Sequence, residues 1–248
     1  MINNYLKADL WRISKRIPRI ICVVVLVVIY AVYVFNGSKG DSWNSVFLME
    51  RILRGFSMTA ICYGILEFLS VFADDFRAKT MQVAIGAGMK RRHVILTKWL
   101  DGILLVMGDL FLTVIVGLVM GTATGVWING EQLVDLLIRY LGEIIAVAGY
   151  FSLSMIVVFY MQSVLIPLIV YLCISLTVFK TILDYLLDIG ELQQWRLSRF
   201  LFTNAKDAFV GRLSAGSFDV KSLIIVLIYI IGGYVISSLL FKKKELEF

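Results

Sequence analysis

Long apolar stretches, separated by short polar segments, run through the whole chain. They predict membrane-spanning helices at residues 17–35, 52–73, 94–121, 133–160, 164–187 and 222–241. An α-helix needs about 20 predominantly apolar residues to cross the hydrocarbon layer, and each stretch is close to that length or longer. No stretch alternates strictly between apolar and polar positions, as the strands of a membrane β-barrel do. The pattern therefore predicts an all-α integral membrane protein with six transmembrane helices.

The first 16 residues carry a different pattern. Leu6, Leu10 and Ile13 recur at helical spacing, and basic residues such as Lys7 and Arg12 lie between them. Separate apolar and basic faces are typical of a helix that lies flat in the membrane interface. Residues 1–16 are therefore predicted to form an interfacial helix, with a solvated N-terminal tail as the alternative.

Composition agrees with a membrane protein. Hydrophobic residues make up 60% of the chain and charged residues 17%, with a mean hydropathy of +0.87. Soluble domains have about 45–50% apolar and about 25% charged residues. The net charge of +6 comes from Lys and Arg residues, many of which flank the apolar stretches. Their densest clusters, in residues 1–19, 74–98 and 242–248, predict that both termini are cytoplasmic.

The sequence also excludes several kinds of active site. The chain has one His, His93, so a His-based metal site, a His–Ser dyad or an HExxH helix is not expected from this chain alone. It has no Gly-x-x-x-x-Gly-Lys-Ser/Thr motif, so it carries no P-loop for a nucleotide.

The polar segment at residues 74–93 lies between two apolar stretches. Its first half can form a short amphipathic helix with Phe76, Thr80, Val83 and Ala84 on one face, and Gly88 then turns the chain. So short a helix cannot bury an apolar face alone, which favours docking into the groove of a partner. The alternative is that it lies on the lipid headgroups, held by its basic neighbours.

This segment resembles the loop between the second and third membrane helices of ABC-2-type transporter permeases, in the branch that includes lantibiotic-immunity permeases. In that branch the loop runs as an acid, a few polar residues, Lys-Thr, a short helix, Gly-hydrophobic-Ser-Arg and a later Lys. The matching positions are Asp75, Lys79, Thr80, Gly88, Met89, Arg91 and Lys98. The sequence departs from the pattern at Asp75, where Glu is more usual, and at Lys90, where Ser or Thr is usual.

The resemblance implies the permease subunit of an ATP-driven exporter, with the six-span, type V exporter-like fold of that family. Residues 1–16 would be its elbow helix, residues 74–93 its cytoplasmic coupling loop, and residues 188–221 an extracellular re-entrant segment. Two such subunits, identical or related, would form a dimer around the substrate path, and a separate ATPase subunit would bind the coupling loop. The expected contacts with the ATPase subunit are Asp75, Phe76, Arg77, Lys79, Thr80, Val83, Ala84, Gly88 and Arg91.

The same resemblance sets expectations about chemistry. ATP and Mg²⁺ would be bound by the partner ATPase subunit, so this chain is expected to have no cofactor, no metal, no catalytic residue and no nucleic-acid partner. The substrate would be a hydrophobic or amphipathic peptide, an antibiotic or a lipid-like molecule, as in immunity to antimicrobial peptides. The expected location is the cytoplasmic membrane of a bacterium.

Ionisable residues interrupt several apolar stretches, and Glu67, Asp109 and Glu143 lie deepest. A charge in the bilayer is costly and usually marks a polar pathway or an interhelical pair, so these three residues are candidates for the substrate path. Lys180 and Asp184 are four residues apart and can pair on one helix face. The buried acids also leave open an intramembrane enzyme, and a scaffold or sensor subunit without catalysis is a third alternative.

The segment at residues 188–221 is polar but rich in aromatic residues, among them Trp195, Phe200 and Phe202. A solvated loop rarely carries so many aromatic side chains. We therefore predict one or two short helices, half inserted into the outer surface. An ordinary folded loop is the alternative.

Overall fold

The computed structural model describes residues 2–39, 43–78, 80–161, 163–187 and 197–243. In this part of the chain the regular secondary structure is helical throughout. The helices are α1 Ile2–Ser14, α2 Ile17–Gly37, α3 Ser45–Ala78, α4 Thr80–Gly86, α5 Arg91–Ala123, α6 Gly130–Met161, α7 Leu165–Ser175, α8 Thr177–Leu187, α9 Phe202–Ser214 and α10 Val220–Lys243, with a 3₁₀ turn at Leu197–Phe200.

Among the described residues, five helices are long and apolar enough to cross a membrane, namely α2, α3, α5, α6 and α10. The shorter helices α7 and α8 together make a sixth candidate span, bent by 63°. The break follows from Leu176, whose extended backbone ends α7. The prediction of an all-helical, multi-pass membrane fold is therefore confirmed, with five spans or six when the bent pair is counted.

Helix α3 extends further at both ends than the predicted span at residues 52–73. At its start, Leu48 is fully buried and packs close to Gly121 of α5. The charged neighbours Glu50 and Arg51 lower the local hydropathy, so the predicted span began after this turn. At its end, helix α3 continues through Asp75, which is also buried. The segment at residues 74–93 is thus not one loop, because its first residues belong to a spanning helix.

The helices alternate in direction and define two ends of the bundle. Helix α1 lies at the end where α3 stops, where α5 begins and where α10 stops, and Arg91 of α5 donates a hydrogen bond of 2.7 Å to the carbonyl oxygen of Phe241 there. We call this the α1 end. Helix α9 packs against α6 and α10 toward the opposite end, which we call the α9 end.

Helix α1 packs against α5 with a face that includes a charge. Asp9 and Ile13 are buried, whereas Trp11 has 63% of its surface exposed. The predicted apolar stripe therefore describes only part of the contact, because Asp9 on the same face has partners inside the bundle. Trp11 lies outside that contact, on the exposed face of α1.

The described part of the predicted re-entrant segment consists of the 3₁₀ turn and α9. Phe202 and Phe209 are buried, and Phe202 makes edge-on ring contacts with Tyr150 of α6 and Tyr229 of α10. Phe200 is exposed, and Trp195 lies outside the described residues. Helix α9 is therefore fixed to the bundle by aromatic packing.

Close packing of α3 against α7 depends on a glycine. A Cβ atom at Gly64 would lie 1.8 Å from the hydroxyl oxygen of Tyr171, which is fully buried. The Tyr171 ring cannot move aside, because Phe68, Tyr150 and Phe151 surround it with ring centroids 5.8–5.9 Å away. Small residues are typical of membrane helix contacts for this reason.

We expect Gly64→Ala to lower the thermal unfolding midpoint of the detergent-purified protein. Overpacking of this kind costs about 1–3 kcal/mol. Gly108→Ala is the matched control, since a Cβ atom there meets nothing within 4 Å. Equal midpoints for the two variants would contradict the packing described for Tyr171.

Candidate functional site

Five ionisable side chains meet at the α1 end, and we call them the α1-end charge cluster. They are Asp9 and Arg12 of α1, Asp75 of α3, and Lys98 and Asp101 of α5. Four of the five are buried, and Arg12 has a third of its side chain exposed. The ion pairs among Asp9, Arg12, Asp75 and Lys98 fix where these three helices meet.

Lys98 occupies the centre of the cluster. Its ammonium group forms ion pairs with the carboxylates of Asp9 and Asp75, and the side chain is fully buried. Arg12 approaches from the edge, with Nη2 lying 2.7 Å from Asp75 Oδ1 and Nε lying 2.9 Å from Asp9 Oδ1. Each carboxylate therefore contacts both cations, and α1 is held to α3 and α5 by charge.

Burial and the two neighbouring cations have opposite effects on the pKa of Asp9. Burial acts to raise the pKa of its carboxyl group, but the Lys98 ammonium and the Arg12 guanidinium outweigh burial and bring the pKa below its usual value. Asp9 is therefore ionised near neutral pH. Asp101, one turn along α5 from Lys98, adds a third carboxyl group to the same buried region.

The short helix α4 is attached to this cluster through its first residue. The hydroxyl group of Thr80 donates a hydrogen bond of 2.5 Å to Asp75 Oδ1. Farther along α4, Met81 and Ala84 are buried, and the turn after the helix uses Gly88, whose φ of 90° suits glycine. One end of α4 is therefore bonded to charged groups, and its inner face is packed against the bundle.

The described members of the expected ATPase contact set lie on different helices and differ in burial. Phe76 belongs to α3 and not to α4, so the prediction of a single face with Phe76, Thr80, Val83 and Ala84 is wrong. Val83 is 69% exposed and Gly88 is exposed, whereas Asp75 and Ala84 are buried and Phe76, Thr80 and Arg91 are half-buried. Lys79 and the side chain of Arg77 lie outside the described residues. The buried Met81 was not predicted. The predicted helical face started at Phe76, whereas α4 begins at Thr80, so the apolar face was assigned to the wrong positions.

A second charged group joins α2, α3 and α5. The guanidinium of Arg19 donates hydrogen bonds to Glu67 Oε1 at 2.7 Å and to both oxygens of Asp109 at 2.9 Å. All three side chains have at most 9% of their surface exposed. Arg19 was missed as a partner because it sits in the first turn of α2, where a basic residue reads as a membrane anchor.

Glu143 lies apart from Glu67 and Asp109, so the structure does not bring the three predicted acids together. It lines a cavity of about 350 Å³ between α3, α6 and α9, together with Lys206 and Asp207. Burial acts to lower the pKa of the Lys206 ammonium group, but the carboxylates of Glu143 and Asp207 outweigh burial and raise it. Lys206 is therefore charged at neutral pH.

The predicted pairing of Lys180 with Asp184 is wrong. Lys180 Nζ lies 2.5 Å from Asp207 Oδ2, and Asn204 donates a hydrogen bond of 2.5 Å to Asp184. Both partners are on α9, and their bonds replace the predicted contact within α8. These polar bonds add to the aromatic contacts that hold α9.

The site consists of ion pairs, a polar cavity and the short helix α4. Within the residues that the structure describes, no group of three or more His, Cys, Asp or Glu side chains has the geometry to hold an ion.

We expect Lys98→Met to destabilise the protein strongly, because Asp9 and Asp75 would keep their charges with Arg12 as the remaining cation. Removing one partner from a buried charge cluster costs about 3–5 kcal/mol. The matched control is Arg54→Met, which removes a cation from an ion pair with Glu50 whose side chains are 71% and 49% exposed. That variant should lose less than about 1 kcal/mol in the same unfolding measurement. Similar losses for the two variants would refute the central role of Lys98.

No protein-family model matches this chain, and no curated protein matches its sequence. What the chain does must be inferred from its own residues and from their geometry.

Proposed function

We propose that this chain is the membrane-spanning permease subunit of an ABC-2-type, ATP-driven exporter. The observation that carries the proposal is the attachment of a short, partly exposed helix to a buried charge cluster at the end of a multi-pass bundle. Such a helix is suited to receive a push from a soluble partner. The family resemblance of the segment around Asp75, Thr80 and Lys98 supplies the identity of that partner, a separate ATPase subunit.

The contacts of α4 provide a route for force. Thr80 binds Asp75 of α3, Asp75 binds Lys98 of α5, and Arg12 of α1 binds Asp75 as well. A displacement of α4 would therefore act on three other helices at once. Paired buried charges resist separation, so these helices would move as a unit and not slide past one another.

The outer surface of α4 has the features of a docking site for the ATPase subunit. Val83 presents an exposed apolar side chain, and Lys90 and Arg92 beyond the glycine turn are exposed as well. An apolar anchor with charged neighbours is the usual composition of a helix that enters a groove. The occupant we propose is the nucleotide-binding subunit, which would bind ATP and Mg²⁺ itself.

Two of the three predicted acids are poorly placed for a substrate. Glu67 and Asp109 are closed off by Arg19, whereas Glu143 faces an open cavity. Within the proposed exporter, Glu143 is thus the best candidate of the three for contact with a transported peptide, antibiotic or lipid-like molecule. The same contacts weaken the case for an intramembrane enzyme, because Arg19 occupies the acid pair that such chemistry would need.

We expect Val83→Asp to abolish co-purification with the ATPase subunit and ATP-dependent export. Loss of an apolar anchor at a protein interface typically costs about 1–4 kcal/mol. Val46→Asp is the matched control, because Val46 is similarly exposed, at 65%, but lies in the first turn of α3 at the α9 end. The Thr80→Asp variant is less informative, since it would place a carboxylate against Asp75.

If Val83→Asp binds the ATPase subunit normally and inserts and unfolds like the parent protein, the proposal that α4 docks the ATPase subunit is wrong. Loss of binding by Val46→Asp to the same degree would show that the effect is not specific to α4.

We also expect the α1 end to face the cytoplasm, because the densest clusters of Lys and Arg lie there. In a background without the three native cysteines, Ala208→Cys on α9 should react with a membrane-impermeant maleimide on intact cells. Ala87→Cys, in the turn after α4, should react only after lysis. Both alanines are exposed, so accessibility and not burial decides the result. The reverse labelling pattern would overturn the orientation.

A further inference from the structure

Two adjoining cavities at the α9 end share a charged wall. The larger one, of about 350 Å³, lies between α3, α6 and α9 and includes Arg139 and Phe56. The smaller one, of about 210 Å³, extends toward α8 and includes Lys180. Both are lined by Ser57, Glu143, Lys206 and Asp207. We call the combined space the Glu143 cavity.

The charges of this cavity are only partly paired with one another. Asp207 binds Lys206 at 2.8 Å and Lys180 at 2.5 Å, and Arg139 binds Asp135 at 3.0 Å. Glu143 has no hydrogen bond or ion pair with any described residue, although it lies on a spanning helix. Two ammonium groups share the one carboxylate of Asp207, so the wall has positive charge left to hold an anion, and Glu143 has unused capacity to accept hydrogen bonds from a cation.

An apolar groove begins where the Glu143 cavity ends. It has a volume of about 550 Å³ and runs between α2 and α3, with Leu26, Ile29 and Met58 in its walls. Ser57 and Ile61 line both the groove and the charged cavity. The polar and apolar spaces thus adjoin at Ser57 and Ile61 of α3.

The depth of the cavity matches the boundary between headgroups and acyl chains. Arg139 and Arg54 are exposed on spanning helices, so they mark the level of the polar headgroups, since an exposed guanidinium does not face hydrocarbon. Glu143 follows Arg139 by four residues, which places it about 6 Å deeper along α6. The cavity therefore lies just below the headgroup level, and the groove runs from there along the lipid-facing surface.

We infer that the Glu143 cavity and the α2–α3 groove together bind a phospholipid that carries a primary ammonium group. The ammonium group donates hydrogen bonds to Glu143, the phosphate contacts Lys206 and Arg139, and one acyl chain lies in the groove beside Met58. Opposite charges within one small cavity fit a zwitterionic headgroup, and the continuous apolar groove fits its chain. This inference does not depend on the proposed transport role, because lipid binding is measured on the permease alone.

The test is a lipid titration of the detergent-purified chain, read by native mass spectrometry. Phosphatidylethanolamine should bind at least tenfold more tightly than phosphatidylglycerol of the same acyl composition. Phosphorylethanolamine, which lacks acyl chains, should bind much more weakly than either. This series separates recognition of the ammonium group from the contribution of the groove.

Variants assign the two parts of the site. Glu143→Gln should weaken phosphatidylethanolamine binding about tenfold and leave phosphatidylglycerol binding unchanged, while Glu131→Gln, at the exposed start of α6, should have no effect. Ile61→Trp, which fills the junction with the groove, should weaken both lipids, whereas Val134→Trp on the exposed surface of α6 should not. Lys206→Gln removes a contact with the phosphate and should weaken both lipids, so it tests the headgroup site if Glu143→Gln fails to fold.

Three outcomes would overturn the inference. Equal binding of the two lipids by the parent protein would exclude recognition of the ammonium group. Unchanged preference in folded Glu143→Gln, or unchanged binding of both lipids in folded Lys206→Gln, would place the lipid elsewhere. Preferential binding of a cationic amphipathic peptide that phosphatidylethanolamine does not displace would assign the cavity to a peptide.

Discussion

The buried ammonium group of Lys98 is the interaction on which the α1 end depends. An unpaired charge at that depth would cost several kcal/mol, so its partners must be held in place. Asp75 comes from α3, which therefore remains helical beyond the apolar stretch, and Asp9 comes from α1, which is therefore drawn against α5. Thr80 then starts α4 from a fixed point, because it donates to the same Asp75. One cation thus sets the position of four helices.

The sequence predicted the features that depend on local composition. Apolar stretches of sufficient length indicated the spanning helices, and the separated faces of residues 1–16 indicated α1. Ion pairs between residues far apart in the sequence produce no such local pattern. Lys98 lies 89 residues from Asp9, and Arg19 lies 48 residues from Glu67 and 90 from Asp109. The spacing of Lys180 and Asp184 predicted that they pair with each other, but they bind Asp207 and Asn204 of α9 instead. A charge in an apolar stretch therefore predicts that a partner exists, and not which one.

The two ends of the bundle treat their charges differently. At the α1 end, Arg19 and Lys98 are enclosed by carboxylates and closed to solvent, which gives rigidity and leaves little room for a ligand. At the α9 end, the ion pairs of Asp207 hold α8 and α9 together around an open space, and Glu143 faces that space. The acids at residues 67, 109 and 143 look alike in the sequence, since each interrupts an apolar stretch. Their surroundings separate them into structural partners and a candidate binding group.

The contact between α3 and α6 connects these two ends. Charges tie α3 to α1, α2 and α5, whereas α3 meets α6 through rings: Phe68 with Phe151 at 5.4 Å, Phe72 with Phe159 at 6.2 Å and Phe56 with Tyr140 at 6.1 Å. Small sliding of packed helices is a common form of conformational change, and these ring contacts are compatible with it. The Glu143 cavity lies on the same contact, with Ser57 on α3 and Glu143 on α6. In the proposed exporter, a displacement of α3 that begins at α4 would change the width of this cavity, which would link the proposed docking surface to the Glu143 cavity without a direct bond between them.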